Sequence, residues 1–275
     1  MVGAARVNRL RLPPLCYRAA GAASLPPMTG QTHFGFRQVA PEEKRRRVMA
    51  LFSSVAERYD LMNDLMSLGL HRWWKRCMVA SAAVRRGGRV LDVAAGSGDI
   101  ALALADRVGP EGRVVLLDPN RPMLAEGAAR LIDAGLLPGR ADCIQGDGAA
   151  LPFADRSFDQ VTIAFGLRNF VDPERGLAEF QRVLRPGGQL LVLEFSRPVL
   201  PLLEPLYDAW SFHLIPLLGE KVAGDRAAYQ YLVESIRRFP DQRRLCRWME
   251  QAGFALVRYR NLSGGIVAIH RGYRL

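Results

Sequence analysis

"VLDVAAGSGDIA" (residues 90–101) joins an apolar run to a glycine turn and the start of an amphipathic stretch. That order predicts a β-strand, a tight loop and a helix N-terminus, the opening unit of a parallel nucleotide-binding sheet. "GSGDIA" fits the loose GxGxxA dinucleotide pattern, which alone is a weak signal. The neighbouring acids address the charge of the cofactor. Asp92 sits inside the apolar run, and Asp99 follows Gly98 directly, where a dinucleotide would rest its pyrophosphate on the helix N-terminus. Two carboxylates there would repel phosphate, and would attract the sulfonium and α-ammonium of S-adenosylmethionine (SAM). Asp92, Gly96 and Gly98 are therefore read as cofactor-binding positions.

Outward from this loop the chain alternates. Strand-like runs are RVLDVA (89–94), RVVLLD (113–118), ADCIQGD (141–147), FDQVTIAF (158–165) and QLLVLEF (189–195). Helical stretches at 99–108, 121–135 and 173–184 separate them, and "GPEG", "LLPG" and "RPGG" mark breaks. Strands alternating with helices predict parallel βαβ units. FALVRYR and GIVAIHRGY, joined by NLSGG, read as a closing hairpin. From Pro41 to Ala80, apolar residues recur at spacings of three and four (Val48, Leu51, Phe52, Val55), which predicts two or three helices. The expected fold is a Rossmann-like α/β domain over 41–275. It has a seven-stranded, mostly parallel sheet with helices on both faces, and 197–252 forms a helical insertion or substrate lid after the fifth strand. Residues 1–40 are expected to be a disordered or presequence-like tail.

Further acids fall where a nucleoside needs acceptors. Asp118 ends the second strand, where an acid takes hydrogen bonds from ribose hydroxyls. In "GDGAALPF" after the third strand, Asp147 is placed to accept from an adenine amino group, and Gly148 allows close approach of the ring. The ordered set of an acid in strand one, GxG, and acids after strands two and three is more specific than any member of it.

Composition narrows the class. The apolar share of 49% and charged share of 24% are those of a soluble globular protein. The net charge of +11 suits nucleic acid, anionic lipid or acidic substrates and chooses none of them. Four scattered cysteines without a CxxC pattern point to a reducing compartment and to no zinc site, and no metal is expected. No run of about 18 apolar residues is present, so no spanning segment is expected. The first 41 residues lack Asp and Glu and carry five Arg, as a mitochondrial presequence can. Met28 opens "MTGQTHFGF", so residues 1–27 also read as a tail upstream of the functional start.

"HFGF", "YDLMNDLMSLGLHRWWK", "LDVAAGSGD", "LPFADRSFD", "FGLRNF", "RVLRPGGQLLVLEFSRP", "YDAWSFHLIP" and "HRGY" together resemble the ubiquinone/menaquinone biosynthesis C-methyltransferase family (UbiE), class I SAM-dependent enzymes. The resemblance runs from about His33 to the C-terminus, and "FGLRN" and "LEFS" are its most specific parts. It implies SAM-dependent methylation of a ring carbon of a polyprenylated benzoquinol (2-methoxy-6-polyprenyl-1,4-benzoquinol), of demethylmenaquinol, or of both. It also implies cofactor contacts at Ser97, Asp118, Asp147 with Gly148, and Ala164. Where the family loop is often Gly-Gly-Thr-Gly, Ala95 and Ser97 stand here and the hydroxyl is kept; at 164 a common Ser is replaced by Ala.

Carbon methylation needs an electron-rich ring, so a phenolate must be stabilised and a ring proton removed. Arg168 and Asn169 follow strand four at the carboxyl edge of the sheet, where such folds place substrate. The resemblance makes this Arg a catalytic residue acting with water. A guanidinium stays protonated, so its expected role is to stabilise phenolate and orient water. Glu194, ending strand five, reads either as a proton acceptor or as an anchor for Arg168. His71, Tyr207 and His213 are further candidates, read as structural or substrate-shaping rather than catalytic.

The Leu- and aromatic-rich segment 198–219 reads as the cover of an isoprenoid tunnel, a membrane contact, or a helix buried on the sheet. Trp73–Trp74 beside Arg72 and Lys75 fits an interfacial anchor equally well as a core residue with an exposed neighbour. The expected partners are the quinol, a membrane surface and other quinone-biosynthesis proteins. The expected location is the bacterial inner membrane from the cytoplasmic side, or the matrix face of the mitochondrial inner membrane if 1–27 is a presequence. A nucleic-acid methyltransferase is disfavoured, because "FGLRNF" stands where amino-directed enzymes carry a D/N-P-P-[YF] turn, and no cysteine lies there. An NAD-linked oxidoreductase is disfavoured by Asp92 and Asp99, and a non-catalytic scaffold by the intact loop. A SAM-dependent enzyme for another aromatic small molecule, or for RNA, is the alternative.

Overall fold

The computed structural model describes residues 17–19, 30–56, 59–199 and 226–275. Strand β1 (Tyr17–Ala19) comes first, followed by the hairpin β2 (Thr32–Phe34) and β3 (Arg37–Val39). Helices α1 (Pro41–Val55), α2 (Tyr59–Ser67) and α3 (Leu70–Ser81) follow. Pro41, Glu42 and Glu43 in the first turn of α1 suit a helix N-terminus, and Gly69, left-handed at φ 76°, turns the chain from α2 into α3.

The alternating region folds as its pattern predicts. It runs β4 (Arg89–Val93), α4 (Asp99–Val108), β5 (Arg113–Asp118), α5 (Arg121–Asp133), β6 (Ala141–Gln145), β7 (Phe158–Ala164), α6 (Pro173–Val183) and β8 (Leu184–Phe195). After the undescribed 200–225 come α7 (Arg226–Arg238), α8 (Gln242–Gln251), β9 (Ala255–Leu262) and β10 (Val267–Tyr273). The sheet order is β1-β6-β5-β4-β7-β8-β10-β9, and β10 alone runs antiparallel to its neighbours. This is the class I methyltransferase arrangement, with short β1 added parallel to β6 at the edge.

Alternation sends the strand residues to two cores. Leu91, Val93, Val115 and Leu117 pack with Leu177 and Phe180 of α6 and with Leu245 and Met249 of α8. Val90, Val114 and Leu116 pack on the other face with Leu104 of α4, Leu124 of α5 and Met78 of α3. Each such buried side chain contributes about 1.5–3 kcal/mol, which is why these runs fix the register. A third, smaller cluster joins Val55 and Met62 to Ala228, Tyr229 and Val233 of α7.

Several boundaries differ from those expected. The tail expected over 1–40 does not extend through 30–40. There Phe34 stacks on Tyr231 with ring centroids 4.1 Å apart, and the Phe36 N–H donates to the Glu234 carboxylate at 3.0 Å. These contacts tie the β2–β3 hairpin to α7, a tertiary link that local composition does not announce. The insertion or lid expected over 197–252 does not include α8, whose Leu245 and Met249 are core residues beneath the sheet. "RPGG" is not a break. Pairing steps from Phe158 with Leu184 to Gln160 with Gln189, so the tetrapeptide bulges within β8. Tyr207, His213 and nearly all of 198–219 lie outside the described residues.

Candidate active site

Strand order reverses at β5-β4-β7, and the carboxyl ends of these strands frame a crevice. Two cavities open there. The outer one is bounded by Ala94, Gly96, Asp118, Asp147, Gly148 and Ala164, with Arg45, Met49 and Phe52 of α1 over it. The inner chamber lies between α1, α2, α3 and α7 and is bounded by Asn63, His71, Arg168 and Tyr231. Phe52, Phe165 and Asn169 border both. Ala94 and Phe165, one after each of β4 and β7, sit at positive φ (50° and 57°). Left-handed backbone at a non-glycine residue costs of order 1 kcal/mol and is typical of functional sites. Gly166 is required beside them, because a Cβ there would come within 2.5 Å of the Ala94 Cβ.

Asp118 closes the floor of the outer cavity. Its Oδ2 accepts the Gly96 N–H at 2.9 Å and its Oδ1 the Asn120 N–H at 2.7 Å, so backbone rather than a cation holds it. Burial pushes its carboxyl up to about 6, against the pull of those two N–H groups. Asn120 caps α5 by accepting the Met123 N–H, and its Nδ2 donates to Met49 O (3.0 Å) and Ser53 Oγ (2.9 Å), which seats α1 over the cavity. Lys44 fixes the same helix by donating to the Phe170 carbonyl at 2.5 Å, and burial lowers its ammonium to about 8.

Asp147 makes the turn expected of it, accepting the Ala149 N–H at 2.8 Å, and its other oxygen lies 3.4 Å from Arg45. A Cβ on Gly148 would meet Phe170 at 2.4 Å and Val93 at 2.8 Å, so that edge has no room for a side chain. The charged groups on this wall are two carboxylates and one arginine already paired with Asp147 and Glu42. The wall suits the hydrogen-bond donors of an adenosine and a positive charge, and does not suit a pyrophosphate. Ala164 borders the cavity without a polar side chain.

Other loop residues stand apart from this wall. Asp92, expected to face the cofactor, points to the α4 side because strand alternation opposes it to Leu91 and Val93. It is 2% exposed, accepts the Thr162 hydroxyl at 2.7 Å, and burial raises its carboxyl to about 7. Ser97 is buried and Gly98 forms the left-handed turn into α4 (φ 80°), and neither borders the outer cavity. A Cβ on Gly98 would press on Leu116 at 3.1 Å and Gly127 at 3.4 Å, so its place is set by packing on α5. Asp99 does not serve a cofactor cation, because Lys75 (2.6 Å) and Arg130 (2.7 Å) already neutralise it. Burial would raise its pKa, but these cations hold it below the usual carboxylate range.

In the inner chamber Arg168 sits on a 3₁₀ turn, Leu167–Asn169, after β7. Its Nη1 donates to both oxygens of Glu194 (3.2 and 3.0 Å) and to the Phe165 carbonyl, and its guanidinium lies 5.5 Å over the Phe195 ring. Its Nε is buried without a partner among the described residues. Glu194 is fully buried and also accepts the N–H groups of Arg168 and Phe195. Burial pushes its carboxyl up, against the pull of Arg168. It borders neither cavity, so of its two readings the anchor stands and the catalytic acceptor is set aside. Asn169 accepts the Tyr231 hydroxyl at 3.0 Å while its Nδ2 reaches back to Phe165 O at 3.5 Å, which fixes the amide in the shared wall. Tyr231, Phe52, Phe165 and Arg45 are site residues that sequence reasoning missed. Among the described residues, no cluster of three His, Cys, Asp or Glu is arranged to hold a metal ion.

The elevated carboxyl of Asp118 gives SAM binding a pH dependence. Ribose hydroxyls donate best to the ionised form, which the empty protein loses as pH falls through about 6. Affinity for SAM is expected to fall about tenfold from pH 7 to pH 5 as that proton is taken up. Titration calorimetry across this range, in buffers of different ionisation heat, reads both the affinity and the protons released. A pH-invariant affinity would contradict an ionised Asp118 in the site.

Comparison with known proteins agrees with this geometry. The profile described as the ubiE/COQ5 methyltransferase family matches residues 39–274. A ubiquinone/menaquinone biosynthesis C-methyltransferase UbiE of Xylella fastidiosa is 55% identical over 246 residues, 90% of this chain and 97% of its own length. The protein of the same name from Yersinia enterocolitica is 53% identical over 243 residues, 88% of this chain and 96% of its own. Among solved structures, a SAM-dependent methyltransferase of Thermotoga maritima superposes with a TM-score of 0.57 at 19% identity, covering 83% of this chain and all of that one. One from Aquifex aeolicus gives 0.51 at 15% identity over 86% of this chain and all of that one. At such identities these two structures speak for the fold alone.

Proposed function

The chain belongs to the ubiE/COQ5 methyltransferase family, and from that premise we propose the substrate and setting of its reaction. It is a SAM-dependent C-methyltransferase of ubiquinone and menaquinone biosynthesis. The proposed acceptors are the reduced rings of 2-methoxy-6-polyprenyl-1,4-benzoquinol and of demethylmenaquinol. The observation that carries this reading is the pair of cavities meeting at Phe52, Phe165 and Asn169. The outer suits adenosine, and the inner is largely apolar with an arginine in its wall.

SAM supplies an electrophilic methyl group on a sulfonium. The residues fitted to hold it are Asp118 for the ribose, and Asp147 and Gly148 for the adenine edge. Gly96 shapes the turn beside them, its N–H held by Asp118. Arg168, with Nε–H free and Nη1 tied to Glu194, stabilises phenolate character on the quinol oxygen. Glu194 keeps the guanidinium in one orientation. Phe52 and Phe165 exclude water from the meeting point of the cavities, where bulk solvent would compete for the methyl group. The test is incubation of the purified protein with methyl-labelled SAM and each reduced acceptor, followed by mass spectrometry. Label on a ring carbon of both supports the reading, and label on one alone narrows it. No transfer to either removes it.

The isoprenoid tail of such a quinol resides in a membrane, while no helix among the described residues is long and apolar enough to cross one. We therefore infer peripheral docking, on the cytoplasmic face of a bacterial inner membrane, beside other quinone-biosynthesis proteins. Leu61, Leu68, Leu70 and Trp73 are exposed around the α2–α3 corner, next to Arg72 and Arg76, and the same helices wall the inner chamber. This amphipathic corner supports the inference. Flotation with anionic liposomes is expected to recover the protein at low salt and progressively less as salt rises. Trp73→Ala with Leu68→Ala is expected to weaken recovery severalfold. A protein that never floats would favour delivery of the quinol by a partner protein.

A further inference from the structure

The inner chamber contains a titratable group that the role given to Arg168 leaves unused. His71 lies in the first turn of α3, its side chain 5% exposed; it borders the chamber with Asn63, Arg168 and Asn169, and also the groove between α3 and α4 that Lys75 and Asp99 line. Its Nε2 lies 2.9 Å from Asp64 Oδ1. Asp64 also accepts from Arg72 at 3.1 and 2.7 Å, and hydrogen bonds from Arg72 and His71 hold its carboxyl at about 2. An ionised carboxylate at Nε2 selects the tautomer with the proton there, which leaves a lone pair on Nδ1. That Nδ1 is buried and has no hydrogen-bond partner among the described residues. An empty buried acceptor is costly; His33 and His270 carry one too, but of the three only His71 borders the chamber. The backbone gives no alternative use for the ring: the His71 N–H is already taken by Ser67 Oγ at 3.2 Å.

The surroundings keep the imidazole neutral. Burial lowers its pKa first, and Lys75 and Arg72 add to this against the pull of Asp64. From α4, Asp99 is turned to Lys75 and Arg130, and from the chamber Arg168 is turned to Glu194, so among the described residues no second carboxylate is turned to this ring. A neutral, oriented imidazole in a substrate chamber is equipped to take a proton.

We propose that His71, oriented by Asp64, is the catalytic base that removes the ring proton displaced by the methyl group. The inference rests on the reading of the inner chamber as the quinol site. The ring carbon bonds to the methyl as the S–CH3 bond breaks, and then carries both hydrogen and methyl. Nδ1 takes that hydrogen as a proton, and the C–H electron pair restores the aromatic ring. Asp64 pairs with the imidazolium, which passes its proton to solvent once product leaves. Arg168 and His71 thus divide the work, one at the oxygen and one at the carbon.

The test compares wild type, His71→Gln and Asp64→Asn in single turnover at saturating SAM, with quinol carrying hydrogen or deuterium at the methylated carbon. Gln keeps an N–H for Asp64 and loses the base. His71→Gln is expected to retain SAM affinity and to slow methylation by about 10²–10⁴. Proton removal then limits the rate, so a ring-deuterium isotope effect absent from wild type should emerge. The acid limb of the rate–pH profile should vanish with it. Asp64→Asn, which keeps the imidazole but not its orienting charge, is expected to slow the reaction less and to shift that limb. If His71→Gln does not fold, these two changes in Asp64→Asn decide, and an unmoved acid limb there overturns the proposal. A His71→Gln rate near that of wild type, or a slower one without isotope effect and with the acid limb intact, also overturns it. Wild type that methylates neither quinol removes the underlying reading and this inference together, whereas active wild type with an unaffected variant removes the inference alone.

Discussion

Arg168→Ala is expected to damage the fold and the reaction by separable routes. Glu194 is fully buried, and the Arg168 side chain supplies two of the hydrogen bonds to its oxygens. Removing the guanidinium strands that carboxylate, and breaking one half of a buried pair typically costs about 3–5 kcal/mol. The two remaining backbone donors, from Arg168 and Phe195, place the expected loss at the lower end. Replacing both partners with apolar residues of similar volume, Arg168→Met with Glu194→Leu, is expected to restore most of the stability. It should not restore the reaction. Loss of one preorganised donor at a developing oxyanion costs about 10²–10³ in rate, and the double variant should stay that slow at saturating SAM. Arg168→Lys should recover only part of the rate, since an ammonium cannot both hold Glu194 in a planar fork and face the substrate. Higher pH should partly rescue the variants, because the quinol then ionises unaided. Denaturant unfolding and single-turnover methylation measure the two losses separately. A folded double variant within about threefold of wild type would show that Arg168 is purely architectural.

Asp118→Ala is expected to weaken SAM binding by tenfold or more. Charge-assisted hydrogen bonds are worth roughly 1.5–3 kcal/mol, and Asp118 is the buried carboxylate of the outer cavity, proposed above to bind the ribose. The same side chain tethers the N–H groups of Gly96 and Asn120, so its loss also frees the glycine turn and the cap of α5. Asp118→Asn separates the effects. Its amide oxygen can keep one tether while the charge is lost, so the turn should hold better than in the alanine variant while affinity still falls. Calorimetric affinity unchanged in both variants, with the fold intact, would remove Asp118 from the cofactor site.

The parts of this molecule that sequence reveals are those governed by local periodicity and by backbone geometry. The strand around Val115 is a continuous apolar run, those around Leu91 and Val161 are apolar apart from a few polar positions, and Gly96 and Gly98 mark a turn that few other residues could form. Asp118 and Asp147 were legible because strand ends in a doubly wound sheet converge on one crevice. Asp92 and Asp99 show where such reading stops. Their charge argued correctly against a pyrophosphate, yet neither faces the outer cavity. Strand parity alone would have turned Asp92 away, since Leu91 and Val93 on either side belong to the opposite core. Asp99 finds Lys75 and Arg130, which are 24 and 31 residues away in the chain, through helix packing that no local pattern encodes. The same holds for the inner chamber. His71, Arg168 and Tyr231 come from three distant segments; "FGLRN" marks Arg168, but no local pattern brings the three together.

In the proposed complex the outer cavity holds the methyl donor, the inner chamber holds the quinol ring, and the two meet at Phe52, Phe165 and Asn169. A crystal structure with S-adenosylhomocysteine and a short-tailed quinol tests it directly. Ribose hydroxyls are expected on Asp118, adenine beside Asp147 and Gly148, and a ring oxygen at Arg168 Nε. The sulfur is expected to face a ring carbon past Asn169. A quinol bound elsewhere, such as the groove between α3 and α4, or an adenosine away from Asp118, would contradict it.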